Sequence, residues 1–326
     1  MYEPKQEFIE RMKKLLPNEE DFEKYWEISK VRPVNSIRVN TLKISVEELK
    51  KRLEKKWKIK QPFNEFPEVF IIENELAPGE LGKAIEHLLG YYYVQEISSM
   101  TSLLVLKPQP GDIFLDLCAS PGSKTTQAAA MMKNSGLVIA NEVSLGRIMI
   151  LSTNLQRCGV TNTIITQSDG SVFFRKIKKS NMKFDKVLVD APCSGEGTIR
   201  SSPKTLVMFS EHLIKTLSGK QKSLARNGLE ALKIGGEMIY STCTHAPEEN
   251  EEIVSYLLDN FPVEIEDINL PLNTRPGIIE WNGKKYNPQV EKCVRIYPQD
   301  NNTEGFFVAK LRKIGEVEER EFGVKN

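Results

Sequence analysis

Ile113-Phe114-Leu115-Asp116-Leu117 runs directly into Cys118-Ala119-Ser120-Pro121-Gly122-Ser123-Lys124-Thr125. An apolar run followed by a turn of small residues reads as a buried strand handing over to a helix N-terminus. That unit opens a doubly wound α/β sheet, where ligands gather outside the carboxyl ends of the strands. Working outward, apolar runs predict further strands at 137–141, 163–166, 186–190 and 236–241. Helical spacing predicts helices over 124–132, 145–158, 211–232 and 248–260. Segments 292–297 and 305–311 read as an antiparallel hairpin. The expected fold class is α/β, a mostly parallel Rossmann-like sheet closed by an antiparallel C-terminal hairpin.

Upstream the pattern differs. Phe8, Met12 and Leu15, then Phe22, Tyr25 and Trp26, recur at helical spacing within residues 1–30. Residues 35–88 mix short strands with a helix opening at Ser45, a good N-cap with Glu47 and Glu48 in the first turn. The expected organisation is a small α+β module over 1–88, a catalytic domain over 89–313 and a charged tail over 314–326.

The 326 residues leave room for about two domains. Apolar stretches are strand-sized, far below the roughly 20 residues of a membrane span, and the charged first 30 residues do not read as a signal peptide. Five cysteines, an odd number without a CxxC pair, point to free thiols in a reducing cytoplasm. With His87, His212 and His245 scattered, no metal site is expected. Net charge is only +1, yet residues 30–60 carry eleven Lys/Arg against three Glu. Such a segment is usually a solvated face, and it can also track phosphates.

The turn after Leu117 is neither a Walker A loop nor a GxGxxG loop, because Ser123 separates Gly122 from Lys124 and Gly122 stands alone. Glu142, at the end of the next strand, is placed to grip a ribose diol, and Asp169, after the third strand, is similarly placed for an adenine edge. Each acid alone could equally be a helix cap. Together they favour a nucleoside cofactor without pyrophosphate, such as S-adenosylmethionine.

Two cysteines also follow strands, Cys193 in Asp190-Ala191-Pro192-Cys193-Ser194-Gly195 and Cys243 in Ser241-Thr242-Cys243-Thr244. A buried Cys commonly acts as a small hydrophobe, the reading preferred for Cys118, Cys158 and Cys293. Cys193 and Cys243 instead sit in turns that face a cleft. Methylating carbon 5 of a pyrimidine needs a thiolate at carbon 6 and a second proton-handling group, a need that two thiols meet. Asp190-Ala191-Pro192-Cys193 also resembles the Asp/Asn-Pro-Pro-aromatic run of exocyclic-amine methyltransferases, with Cys in place of the stacking aromatic.

From Arg38-Val39-Asn40-Thr41-Leu42-Lys43 to Gly305-Phe306-Phe307-Val308-Ala309-Lys310, through both cysteine motifs, the chain resembles the NOL/NOP/Sun family of RNA (cytosine-5) methyltransferases. The resemblance implies a Rossmann-like methyltransferase sheet with a small RNA-binding module. It implies Cys243 as nucleophile, Cys193 as the thiol for product release, Asp190 at ring nitrogen 3, and Lys124 holding Asp190. It places S-adenosylmethionine among Cys118, Ala119, Ser120, Pro121, Gly122, Ser123, Lys124, Glu142, Arg147, Asp169 and Asp190. It makes Arg38, Asn40, Lys43 and Arg200 expected RNA contacts, on a base that must be unpaired or flipped. The sequence departs from the family's usual pattern at Gln299 after Pro298 and at Arg200-Ser201-Ser202-Pro203-Lys204. Compactness resembles the tRNA-modifying members, so a cytoplasmic, monomeric enzyme acting on tRNA is expected, with rRNA as the alternative. An exocyclic-amine methyltransferase leaves Cys243 without a role. A silent RNA-binding assembly factor predicts decay at Lys124, Asp190, Cys193 and Cys243, all of which are present.

Overall fold

The computed structural model describes residues 3–317. Helices Gln6–Leu15 and Glu19–Ser29 come first, the second capped by the Asn18 side chain accepting from the Asp21 amide at 2.9 Å. Their apolar stripe (Phe8, Met12, Leu16, Phe22, Tyr25) packs on Ile199, Leu206, Phe209 and Ile214. These helices therefore share a core with the catalytic part of the chain rather than with the segment that follows them.

That segment forms a four-stranded antiparallel sheet from β1 (Asn35–Val39), β2 (Ile59–Lys60), β3 (Val69–Ile72) and β4 (Tyr92–Val94), ordered β2-β3-β1-β4. Helix Val46–Leu53 covers it, with Ser45 accepting from the Glu48 amide at 3.1 Å as its N-cap. β4 pairs with β1, Ile37 opposite Val94. The small sheet thus extends past residue 88, where the sequence placed the module's end.

The large sheet contains β5 (Ile113–Asp116), β6 (Leu137–Glu142), β7 (Thr163–Gln167), β8 (Phe184–Asp190), β9 (Leu232–Thr242), β10 (Val263–Glu266), β11 (Arg275–Pro276), β14 (Val294–Ile296) and β15 (Phe306–Lys313). A separate small hairpin, β12 (Glu280–Trp281) and β13 (Lys284–Lys285), falls between β11 and β14 in the chain. The order is β11-β14-β15-β9-β8-β5-β6-β7, with β10 also on β15, and β5 to β9 run parallel. β15 is antiparallel to β9, β14 and β10, so the expected hairpin is inserted into the sheet.

Side chains alternate across the sheet as strand geometry requires. Val187, Val189, Met238 and Tyr240 face the core under helices Glu211–Ala231 and Glu251–Asn260. Leu188, Ile239 and Val308 face the opposite core with Leu103 and Ala128. The helix expected over 248–260 begins at Glu251, because the Asn250 side chain is engaged by Thr242 and the Thr244 carbonyl. Of the expected charged tail, residues 318–326 lie outside the described residues. Among the described residues, no helix is long and apolar enough to cross a membrane.

Candidate active site

Register brings the site together. β8 and β9 are parallel neighbours with Asp190 opposite Ser241, so Cys193 and Cys243 leave the sheet side by side. Their sulfurs lie 3.2 Å apart. The two loops are tied by the Gly197 amide donating to the Cys243 carbonyl at 2.9 Å and by Ser194 Oγ against Thr244 Oγ1 at 2.7 Å. The Gly305 amide in turn donates to the Gly197 carbonyl at 2.8 Å. A Cβ on Gly197 would stand 2.5 Å from the Gly305 carbonyl oxygen, so only glycine permits this approach.

Beside the thiols, Lys124 Nζ donates to Asp190 Oδ2 at 2.8 Å and to Ser99 Oγ at 3.0 Å. Ser241 Oγ donates to Asp190 Oδ1 at 2.8 Å and accepts from Ser102 Oγ at 3.1 Å. The ring of Phe306 lies 5.2 Å from Lys124 Nζ. Lys124 opens the helix Ser123–Met131, whose N-cap Gly122 has φ 102° and would bring a Cβ within 2.9 Å of Leu151. Both oxygens of Asp190 are therefore oriented, and the carboxylate has an ion-pair partner in a mostly buried lysine. Ser99, Ser102, Ser241 and Phe306 escaped the sequence reading, since nothing in their local pattern separates them from core polar or apolar residues.

The neighbouring groups differ in charge state. The Cys193 thiol is pushed well above its ordinary value, first by its hydrogen bond to Cys243 and then by burial. Burial likewise pushes up the Cys118 thiol. Glu196 is pushed up to about 7 by burial, against the pull of Arg11, whose Nε lies 3.6 Å away on the first helix. His245 is held neutral, its pKa lowered to about 3 by burial, with its ring stacked 4.8 Å from Tyr297.

A cleft at the ends of β5, β6 and β7 is lined by Cys118, Glu142, Arg147, Asp169, Pro192 and Lys220 among others. Asn141 Nδ2 fixes its floor by donating to the carbonyls of Leu117 (3.1 Å) and Ser168 (2.9 Å). Glu142 accepts from the Ser144 amide at 3.0 Å and lies 3.6 Å from Arg147 Nε. Asp169 is held below the usual carboxylate range by the Ser171 amide. Arg147 Nη2 donates to the Ser120 carbonyl at 2.7 Å, which pins the turn Ala119–Ser123 beside the cleft. A Cβ on Gly170 would meet Leu224 at 2.8 Å and Leu117 at 3.1 Å. Two strand-end carboxylates beside a narrow, partly apolar slot suit a ribose and an adenine ring. Lys220, on the long helix Glu211–Ala231, was not anticipated, because it lies among the ordinary surface lysines of that helix. No group of three His, Cys, Asp or Glu among the described residues is placed to hold a metal.

The four expected RNA contacts are placed otherwise. Arg38 is buried, donating to the Ser123 carbonyl at 2.8 Å and Thr126 Oγ1 at 2.9 Å, and also to Gln95. Asn40 is buried and donates to the carbonyls of Gly90 and Cys158. Arg200 is buried and donates to the carbonyls of Val31, Arg32 and Thr303. Lys43 is exposed but its Nζ donates to the carbonyls of Leu89 and Arg157. These side chains join segments of the chain, so we do not assign them to RNA. The sequence showed their charge but not their burial.

Residues 103–312 match the family model described as "16S rRNA methyltransferase RsmB/F", and residues 5–97 match that of the "N-terminal domain of 16S rRNA methyltransferase RsmF". The chain is 42% identical over 308 residues to the tRNA (cytosine(49)-C(5))-methyltransferase of Pyrococcus abyssi, covering 94% of this chain and 95% of that one. It is 40% identical over 313 residues to the ribosomal RNA small subunit methyltransferase F of Psychromonas ingrahamii. That match covers 94% of this chain and 63% of that relative, so the chain spans under two thirds of its length. Among solved structures, a methyltransferase homologue from Pyrococcus horikoshii superposes with TM-score 0.81 at 36% identity over 95% of both chains. NSun6 from the same organism gives 0.81 at 26% identity over 96% of this chain and 99% of that one. Fold, thiols and matches together define an S-adenosylmethionine-dependent RNA (cytosine-5) methyltransferase. The chain belongs to the RsmB/F family, in keeping with the motif resemblance.

Proposed function

We propose that this enzyme methylates carbon 5 of a cytosine in tRNA through a covalent bond from Cys243 to carbon 6. The observation that carries the reading is the pair of sulfurs 3.2 Å apart beside the Lys124–Asp190 ion pair. Cys118, Glu142, Arg147 and Asp169 would hold S-adenosylmethionine, which would supply the methyl group. Cys243 adds as thiolate to carbon 6 of the flipped base. Asp190, oriented by Lys124 and Ser241, shares a proton with ring nitrogen 3 as that bond forms, leaving carbon 5 enamine-like. Carbon 5 takes the methyl group, the donor sulfur leaving as a neutral thioether; the carbon 5 hydrogen then leaves as a proton to solvent, carbon 5–carbon 6 unsaturation returns and Cys243 departs as thiolate. Cys193, whose thiol holds its proton strongly, serves this release. Support for tRNA comes from the 42% identity with the Pyrococcus abyssi enzyme along nearly its whole length. The matches to RsmF and its relatives favour rRNA as the second reading.

The test is methyl transfer from labelled S-adenosylmethionine into unmodified tRNA and rRNA, with identification of the labelled nucleoside. Labelled 5-methylcytidine in tRNA alone is expected, and label in rRNA alone would overturn the substrate assignment. Cys243→Ser should lower transfer by at least about 10³-fold, as loss of an obligatory nucleophile does. A variant that still methylates at the normal rate would sink the covalent mechanism.

A further inference from the structure

Cys193 sits in a short turn, yet its flanking backbone is held by two fully buried polar side chains from distant elements. Gln221 lies on the long helix Glu211–Ala231 within the inward stripe of Ile214, Ser218, Leu224 and Gly228, where periodicity calls for an apolar residue. Its Nε2 donates to the Pro192 carbonyl at 2.8 Å and to Glu249 Oε2 at 2.7 Å. Glu249 Oε2 also accepts from the Ser194 amide at 3.0 Å. The residues on either side of Cys193 are thus gripped by one amide and one carboxylate. Glu249 is itself fixed, because Tyr240 Oη donates to its backbone carbonyl at 2.6 Å. Both side chains are buried completely, a placement costly for polar groups unless their hydrogen bonds are made; Gln221 Nε2 and Glu249 Oε2 make theirs, while Gln221 Oε1 has no partner. None of these atoms touches Cys243, Lys124 or Asp190 through a hydrogen bond that the structure contains.

We propose that Gln221 and Glu249 are positioning residues for product release, a clamp that sets the Cys193 sulfur against Cys243. This rests on Cys193 serving release, as argued above. Methyl transfer needs Cys243, Asp190 and Lys124 in place, and the clamp holds none of them directly. Loosening it therefore affects the second half of the reaction, in which Cys243 must leave carbon 6. A clamp that acted only through general stability would slow both halves together and trap nothing.

The test uses Gln221→Met, which keeps the length of the side chain and removes both donors. The full chain is incubated with labelled S-adenosylmethionine and the RNA class that accepts label. Two quantities are read: the first turnover of methyl transfer, and the fraction of enzyme in a denaturation-resistant RNA adduct. The first turnover should stay near wild type, while steady-state turnover falls by about 10- to 100-fold, the scale of a misplaced catalytic group. The adduct should accumulate. A wild-type adduct level, or equal loss in both phases, would overturn the clamp. Cys193→Ala run in parallel separates the two ideas. If it traps adduct while Gln221→Met does not, only the clamp fails, and if it traps none, the release role of Cys193 fails first and the clamp with it. Should Gln221→Met not fold, Glu249→Gln, nearly equal in volume, gives the same two outcomes.

Discussion

Asp116 closes β5 and Asp190 closes β8, its parallel neighbour, and two consecutive residues of one helix, Thr125 and Lys124, reach them. Asp190 keeps partial exposure, pairs with the lysine and accepts from Ser241, so its carboxylate stays oriented toward the thiol cleft. Asp116 is buried and accepts from the Thr125 hydroxyl at 2.7 Å, with no ion-pair partner. Burial pushes its pKa up to about 7. A shift of one position along a helix thus separates an ion-paired carboxylate from one whose burial without a cation raises its pKa. Proximity to the reacting atoms does not by itself make an acid useful; the partner does.

The comparison breaks most sharply if Asp190→Asn remains active. Removing its charge should lower methyl transfer by about 10²- to 10⁴-fold, the range for a positioned proton-handling group, and a single-turnover assay reads this directly.

Asp116→Asn should act on stability instead. A folded-state pKa raised from 3.8 to about 7 means that folding takes up a proton between those values. The resulting stabilisation is complete below the unfolded pKa and is lost as pH rises through the folded one, amounting to a few kcal/mol at most. Melting of wild type and Asp116→Asn across pH 4 to about 7.5 should therefore show a shallower fall for the variant. Parallel curves would refute the assignment. Glu196 shifts in the same direction, so the difference between the two proteins is the quantity to read, not either curve alone.

The smallest effect belongs to Arg38, a buried cation of β1 that reaches the same helix as Lys124 but is bonded only to neutral acceptors. Arg38→Met should cost about 1–3 kcal/mol, lowering the melting temperature by a few degrees. Activity per folded molecule should be unchanged. A selective loss of RNA affinity at unchanged stability would return Arg38 to the RNA surface.

The parallel strands β5, β6, β8 and β9 were legible because each carries an apolar run ending in a small or acidic residue. Lys186 to Asp190, for example, lies wholly within β8. The thiols were legible because their turns follow two such strands. Their separation was not, since it depends on Asp190 falling opposite Ser241, and register is a tertiary fact. Tyr92–Val94 falls within the expected catalytic domain over 89–313, whereas pairing with β1, a long-range contact, claims it for the small sheet. The misplaced RNA contacts have one cause. Arg38, Asn40 and Arg200 look like solvent residues in one dimension, and each instead caps carbonyls between segments that only the fold brings together. Gln221 carried a faint signal, a polar residue in an apolar stripe, that periodicity alone records as an imperfection.

β15 has one further consequence, for the timing of synthesis. It fills the gap between β9 and β14, and the residue just before it, Gly305, braces the Gly197 contact behind Cys243. Of all the strands described, it leaves the ribosome last. The parallel half of the sheet and the cofactor cleft can assemble while translation continues, as N-terminal portions do. The two thiols, however, acquire their backing only when residues 305–313 thread into place. A growing chain therefore carries its cofactor cleft before Cys193 and Cys243 are braced from behind by residues 305–313.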